Sequence, residues 1–222
     1  MQFDILTTFP EAFSYLNESI IKKAQEKGKI KINIHNLRDW ASDKHQTTDD
    51  TPFGGGAGML MKVEPIYKAL KSLGVYPTRD SKTKVILTSA KGKTWNQQMV
   101  TEYSQQLERV VIICGHYEGI DQRVSEFLCD EEISIGNYVL SGGELASMVI
   151  VDSISRLITG VLGNEESLKD ESHNPEIEAE YPQYTRPATF KTDEGEEWTI
   201  PEVLLSGNHK QIEEWRKANS KS

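Results

Sequence analysis

Apolar and polar positions along this chain come in blocks whose period switches between two and nearly four. Phe3 to Thr7 is a short apolar run that reads as a strand, and Pro10 suits the first turn of a helix running to about Lys27, where Gly28 stops it. Lys29 to Leu37 alternates, with Ile30, Ile32 and Ile34 on one face, which predicts a strand with one wet side. Pro65 to Leu73 predicts a helix with Ile66, Ala69, Leu70 and Leu73 inward, closed by Gly74. Lys84 to Thr88 is a third strand, ending in the small-residue turn Ser89-Ala90-Lys91-Gly92, and Thr94-x-x-Gln97 has the form of a capping box opening a helix to about Leu107. Arg109 to Cys114 is almost wholly apolar and predicts a central strand covered on both faces. An amphipathic helix from Gly119 to Leu128 and a fifth strand from Glu131 to Ile135 follow. Glu144 to Thr159 is the last strong helix, with Leu145, Met148, Val149, Ile154, Leu157 and Ile158 at helical spacing and Asp152 one turn before Arg156, an i, i+4 pair that usually forms a surface ion pair.

Strands alternating with helices at this spacing imply an α/β fold, a mainly parallel sheet with helices on both faces. Ligands of such sheets bind beyond the carboxyl ends of the strands, where the turns starting at Thr88, Gly115 and Gly136 fall. The stretches ending in Cys114 to Asp121 and in Ile133 to Leu145 share one grammar: an apolar run, a glycine turn with a carboxylate in it, then a helix. Such turns admit a small polar ligand close to the backbone. They serve equally to end strands and start helices in any α/β protein. Spacing alone leaves both readings open, since neither turn spells the dinucleotide fingerprint or the phosphate loop.

Two stretches break the pattern. Arg38 to Met59 loses periodicity, and loops of that length inside a domain are usually functional or disordered. There Gly54-Gly55-Gly56 beside Phe53 could accept a flat ligand or a partner chain, while Asp49 and Asp50 read first as solvated. Residues 161–180 are acidic and weakly apolar and hold Pro175, which is linker composition. The expected organisation is a domain over 1–160, a flexible linker over 161–180 and a small helical domain over 181–222.

Composition narrows the class. No apolar run approaches the roughly 18 residues that a membrane span needs, and the chain opens directly as a strand, so the expectation is a soluble cytoplasmic protein with no membrane partner. The two cysteines, Cys114 and Cys129, sit in no metal-ligand spacing, and no metal ligand is assigned. A net charge of −9 argues against a surface coated in phosphate-binding cations, though it leaves room for a local basic patch.

Several motifs in one order then carry a resemblance over almost the whole chain. They are Pro52-Phe53-Gly54-Gly55-Gly56-Ala57-Gly58-Met59, Cys114-Gly115-His116-Tyr117-Glu118-Gly119-Ile120-Asp121, Ile135-Gly136-Asn137-Tyr138-Val139-Leu140-Ser141-Gly142-Gly143-Glu144-Leu145, Gly160-Val161-Leu162-Gly163-Asn164-Glu165, Tyr184-Thr185-Arg186-Pro187 and Leu204-Leu205-Ser206-Gly207-Asn208-His209. In these the chain resembles the bacterial tRNA (guanine-N1)-methyltransferases of the TrmD type, in the SPOUT superfamily. The resemblance implies a homodimer, a deep trefoil knot forming the cofactor site in the C-terminal part of the first domain, and S-adenosyl-L-methionine bent within the knotted loops. It implies transfer of a methyl group to N1 of the guanosine immediately 3′ of the tRNA anticodon, with Mg2+ described for the family. The residues it assigns to the cofactor are Leu87, Thr88, Ser89, Ala90, Gly115, Tyr117, Glu118, Gly119, Ile135, Gly136, Asn137, Tyr138, Val139, Leu140, Gly142 and Gly143. Asp50, Gly55, Ser172 and Arg186 are assigned to the tRNA, and Arg156 to the guanine oxygen.

The catalytic base is where this sequence departs from the family. The usual Asp-Ser-Phe triplet is replaced by Asp170-Glu171-Ser172-His173, which puts Glu171 at the base position and Asp170 one residue early; either carboxylate could serve. Ala146 stands where the family has Pro, and the sequence ends at Ser222, where family members commonly continue. The rival readings are a SPOUT methyltransferase with another RNA target and a cofactor-binding RNA module that has lost catalysis.

Overall fold

The computed structural model describes residues 1–162 and 180–220. In chain order its elements are β1 (Gln2–Thr7), a 3-10 helix (Pro10–Asn17), α1 (Ser19–Glu26), β2 (Lys31–Asn36), a 3-10 turn (Leu37–Trp40), β3 (Asp49–Asp50), β4 (Leu60–Met61) and α2 (Val63–Ser72). There follow β5 (Thr83–Thr94), α3 (Gln97–Gln106), β6 (Arg109–Cys114), β7 (Gly119–Ile120), α4 (Gln122–Phe127), β8 (Glu131–Ser134) and α5 (Glu144–Arg156). Contacts divide the chain into two compact units, Met1–Gly163 and Asn164–Ser222.

The first unit is built on a five-stranded sheet of order β2-β1-β6-β5-β8, every pairing parallel. β6 lies in the middle, and its alternation explains the two layers. Val110, Ile112 and Cys114 point into a core with Phe3, Ile5, Met99, Val151 and Ile154, while Val111 and Ile113 point into another with Ile66, Leu70, Val85, Leu87 and Val124. Helices α1, α3 and α5 therefore cover one face, α2 and α4 the other. The expected strand order of burial holds at β6, whose five residues from Val110 to Cys114 are all at most 1 % exposed.

Local departures from the expected elements have identifiable causes. The first helix is in two pieces, because Glu18 is extended and Ser19 has φ 50. The turn expected at Ser89 to Gly92 is instead a continuation of β5, which pairs with β8 on both sides of a register shift between Thr88 and Lys93. Gly92 permits the return, since a Cβ there would stand 2.6 Å from the Glu132 carbonyl carbon. α3 is capped not by Thr94 but by Asn96, whose Oδ1 accepts from the Met99 N–H at 3.0 Å. The helix expected from Gly119 starts later: Gly119 and Ile120 pair with Leu60 and Met61, and Asp121 caps α4. That small sheet, β3-β4-β7, gives the irregular stretch from Arg38 to Met59 its anchor. On α5, Leu145 and Val149 face outward rather than into the core, at 58 % and 45 % exposure.

In the second unit, β9 (Thr189–Lys191) and β10 (Glu197–Thr199) form an antiparallel hairpin, followed by a 3-10 turn (Glu202–Leu205) and α6 (His209–Asn219). The expected small helical domain thus includes a hairpin as well, braced by Phe190 and Trp198 with ring centroids 5.6 Å apart. Arg216 lies over the Tyr181 ring at 4.9 Å.

Candidate functional site

At the carboxyl ends of β6 and β8 and the register shift of β5, the first unit opens into a cleft of about 440 Å³, within the usual range for small-molecule sites. Three glycine-bearing segments form it. The segment after β6 and the segment before α5 face each other: His116 and Gly142 pair in an isolated β-bridge, and Gly143 N–H donates to the Gly115 carbonyl at 2.6 Å. Gly115 N–H donates to Thr88 Oγ1 at 3.1 Å, so the end of β5's first half is tied to the same junction.

These approaches demand glycine. A Cβ on Gly143 would overlap Thr88 Oγ1 and lie 2.8 Å from the Gly115 nitrogen, and one on Gly115 would lie 2.8 Å from the Thr88 carbonyl oxygen. The third segment, after β8, braces itself. Ser134 Oγ donates to the Gly136 carbonyl at 2.9 Å, Tyr138 N–H donates to that same carbonyl at 2.9 Å, and Tyr138 OH donates to the Ile135 carbonyl at 3.3 Å. Tyr117 holds φ 60 on the opposite wall, a conformation that costs a non-glycine residue of order 1 kcal/mol or more and clusters at functional sites.

The cleft gathers most of the sequence-predicted cofactor residues. Thr88, Ser89, Ala90, Gly115, Tyr117, Glu118, Gly119, Ile135, Gly136, Tyr138, Val139, Leu140, Gly142 and Gly143 all line it. Leu87 does not; its side chain is in the core beneath. Asn137 is exposed beside the cleft without lining it. Leu60, Lys91, His116, Ile120, Ile133, Ser134, Ser141 and Ala146 also line it and were not anticipated. His116 lies inside a motif already singled out, whereas Leu60 arrives only through the β4–β7 pairing, which no local signal announces.

Arg156 ends α5 and is half-buried. Its expected partner Asp152 accepts a hydrogen bond from Tyr15 OH at 2.9 Å. Asp50 and Gly55 are exposed in the first unit, and Arg186 is exposed in the second. Asp170, Glu171 and Ser172 lie outside the described residues. Glu118 packs where a Cβ on Gly58 would collide with it, and its N–H donates to the Met59 carbonyl at 3.1 Å, so the glycine-rich loop and the cleft share a wall.

Chemistry by a cysteine nucleophile does not suit the site. Burial pushes the Cys114 thiol far up, and burial with Glu132 and Asp130 nearby pushes Cys129 up to about 11, so neither supplies thiolate at neutral pH. Among the described residues no group of three or more His, Cys, Asp or Glu is arranged to hold a metal, and no helix is long and apolar enough to cross a membrane. What remains is a cradle of backbone amides and glycines for a small polar ligand.

The family model described as tRNA (Guanine-1)-methyltransferase TrmD matches residues 1–222. The chain belongs to the TrmD family. It is 54 % identical over 221 residues to a tRNA (guanine-N(1)-)-methyltransferase of Carboxydothermus hydrogenoformans, covering 99 % of this chain and 83 % of that protein. Similar relatives with the same name occur in Dehalococcoides mccartyi, 50 % identical over 99 % of this chain and 86 % of the relative, and in Clostridioides difficile, 50 % identical over 99 % and 92 %. The TrmD match spans both units, and the cleft is where the glycine-bearing segments around Gly115 and Gly136 converge.

Proposed function

We propose that this TrmD-family chain transfers the methyl group of S-adenosyl-L-methionine to N1 of the guanosine immediately 3′ of the tRNA anticodon, in the cytoplasm and as a homodimer with a trefoil-knotted cofactor site. The observation that carries the reading is the junction of Thr88 with Gly115 and Gly143, where a Cβ on either glycine is sterically excluded. A cradle of this kind fits a nucleoside with an amino-acid tail, because backbone N–H and C=O groups can read its edges while small residues admit its bulk. The described residues do not form an all-protein Mg2+ site. The dimer is supported by exposed apolar side chains, since Leu145 and Val149, one turn apart on α5, are 58 % and 45 % exposed, and Phe9 and Tyr15 are 40 % and 53 % exposed; contiguous exposed apolar surface marks interaction sites.

When bound, S-adenosylmethionine supplies an electrophilic methyl group on a sulfonium. The walls formed by Gly115 to Gly119 and by Ile135 to Gly143 hold and orient the donor, and positioning of this kind supplies much of the rate of an in-line displacement. Guanine N1 carries a proton, which Asp170 or Glu171 removes as general base. Charge that develops toward guanine O6 is met by the guanidinium of Arg156. Asp50, Gly55, Ser172 and Arg186 belong to the tRNA-binding surface in this reading. Extruding the target base from the anticodon stack costs a few kcal/mol, about what stacking on aromatic or His planes returns.

A single-turnover assay tests the proposal. It uses labelled S-adenosylmethionine and a tRNA transcript carrying guanosine at the last anticodon position and the next, with wild type, Asp170→Ala and Glu171→Ala. Label in 1-methylguanosine, with one variant slowed about 100-fold or more, supports the enzyme and identifies its base. Cofactor binding without transfer by wild type sinks the catalytic reading in favour of a binding module.

A further inference from the structure

Glu144 is the first residue of α5 and is only 8 % exposed. A carboxylate so buried needs hydrogen bonds or a counter-charge, and one oxygen is satisfied: Oε1 accepts from Thr7 Oγ1 at 2.9 Å. The other oxygen, Oε2, stands 3.5 Å from His116 Nδ1. That nitrogen is buried and has no hydrogen-bond partner, although His116 itself lines the cleft. The imidazole is flanked by Phe9 at 4.6 Å and Tyr117 at 5.0 Å between ring centroids. Gly142 is bridged to His116 through the backbone, and a Cβ on Gly142 would collide with both Nδ1 and Oε2. The glycine turn therefore rests directly on the unmade half of this pair.

We propose that Glu144 is a positioning residue for the methyl-donor cleft. Anchored by Thr7 at the end of β1, it takes a charge-assisted hydrogen bond from His116 Nδ1–H, and that bond holds the His116–Gly142 bridge closed on the cofactor. The separation of 3.5 Å needs to shrink by only about 0.7 Å to reach the length of such bonds, a movement within reach of two facing turns. Neither Glu144 nor Thr7 lines the cleft; the effect travels through His116. The inference rests on the reading of this cleft as the cofactor site.

Calorimetric binding of S-adenosylhomocysteine to the full chain tests it, with wild type, Glu144→Gln, His116→Ala, the double variant and His116→Asn. Each of the first two substitutions is expected to weaken binding about tenfold, a normal consequence of losing a hydrogen bond to a charged group. The double variant should be no weaker than the worse single variant, because the two residues act as one unit. His116→Asn, whose amide N–H replaces Nδ1–H, should recover part of the loss. Histidine-labelled NMR of wild type should show a hydrogen on Nδ1 that moves downfield when ligand is added. Losses that multiply in the double variant, or an Nδ1 without hydrogen in the ligand-bound protein, overturn the inference. If wild type itself does not bind the ligand, the cofactor reading of the cleft falls and this inference with it.

Discussion

Gly143 donates its backbone N–H to the carbonyl of Gly115 across 2.6 Å, joining the loop before α5 to the end of β6 at the floor of the cleft. The bond is possible only because both residues lack side chains. The floor of the cleft is in this sense a backbone structure, and its tolerance to substitution is set by sterics rather than by chemistry.

Gly143→Ala should accordingly damage both fold and ligand binding. Its Cβ would overlap Thr88 Oγ1 and press on the Gly115 nitrogen at 2.8 Å, neither of which is the free end of a flexible chain. Overpacking of that kind costs about 1–3 kcal/mol, and relief by opening the turn would break the Gly115 bond. Gly74→Ala is the control: φ is 70 with nothing within 4 Å, so the expected loss is about 1 kcal/mol from left-handed backbone alone. Thermal melts should show both losses, and calorimetry with S-adenosylhomocysteine should show lost affinity only for Gly143→Ala.

How much of this was legible in the sequence depends on whether the signal was local. The continuous apolar run of Arg109 to Cys114 announced a doubly covered strand, and β6 is that strand. The glycines of the two motifs announced turns, and their meeting at His116 and Gly142 makes one site of them. Hidden from any local pattern were the re-pairing of β5 with β8 beyond Thr88 and the β4–β7 pairing that delays α4. Both depend on partners far along the chain. The outward direction of Leu145 and Val149 was likewise unreadable, because α5 is apolar on nearly every side and periodicity does not say which apolar face meets the sheet. Glu144 stands in a motif the sequence singles out, but its burial was unreadable, since its partner Thr7 lies 137 residues away.

Asp4 should govern acid stability. It is 1 % exposed on β1. Burial works against its charge, but hydrogen bonds from His35, Asn33, Gln2 and Arg109 outweigh that penalty and hold its pKa well below the ordinary 3.8. A depressed folded-state pKa contributes stability that is fully present above 3.8 and is lost as pH falls below it, because the unfolded chain takes up the proton first. Asp4→Asn should cost about 3 kcal/mol at neutral pH, since it leaves Arg109 without its buried partner. It should also flatten the decline of stability below pH 3.8. Urea unfolding of both proteins across that range measures the difference, and parallel pH curves would remove Asp4 from this role.

The exposed apolar face should decide oligomeric state. Leu145 and Val149 are one turn apart on α5, with Phe9 and Tyr15 also exposed on the preceding 3-10 segment and its approach. Val149→Asp puts a charge at a position already 45 % exposed, so the folded monomer should tolerate it, whereas desolvating that charge in an interface would not be tolerated. Light scattering should report a dimer for wild type and a monomer for the variant, with unchanged far-ultraviolet circular dichroism. A dimer that persists in the variant would move the interface elsewhere.

Arg156→Lys separates a role in chemistry from one in folding. Arg156 sits in the last turn of α5, where any cation complements the helix dipole, so lysine should preserve that contribution. The guanidinium differs from an ammonium in offering a planar, pre-oriented fork of donors, which is what a developing negative charge on guanine O6 requires. The expected outcome is a single-turnover rate lower by about 100-fold or more, with S-adenosylhomocysteine and tRNA affinities within about threefold of wild type. Unchanged chemistry at saturating tRNA, combined with weakened tRNA binding that falls steeply with salt, would reassign Arg156 from the guanine base to the phosphate backbone.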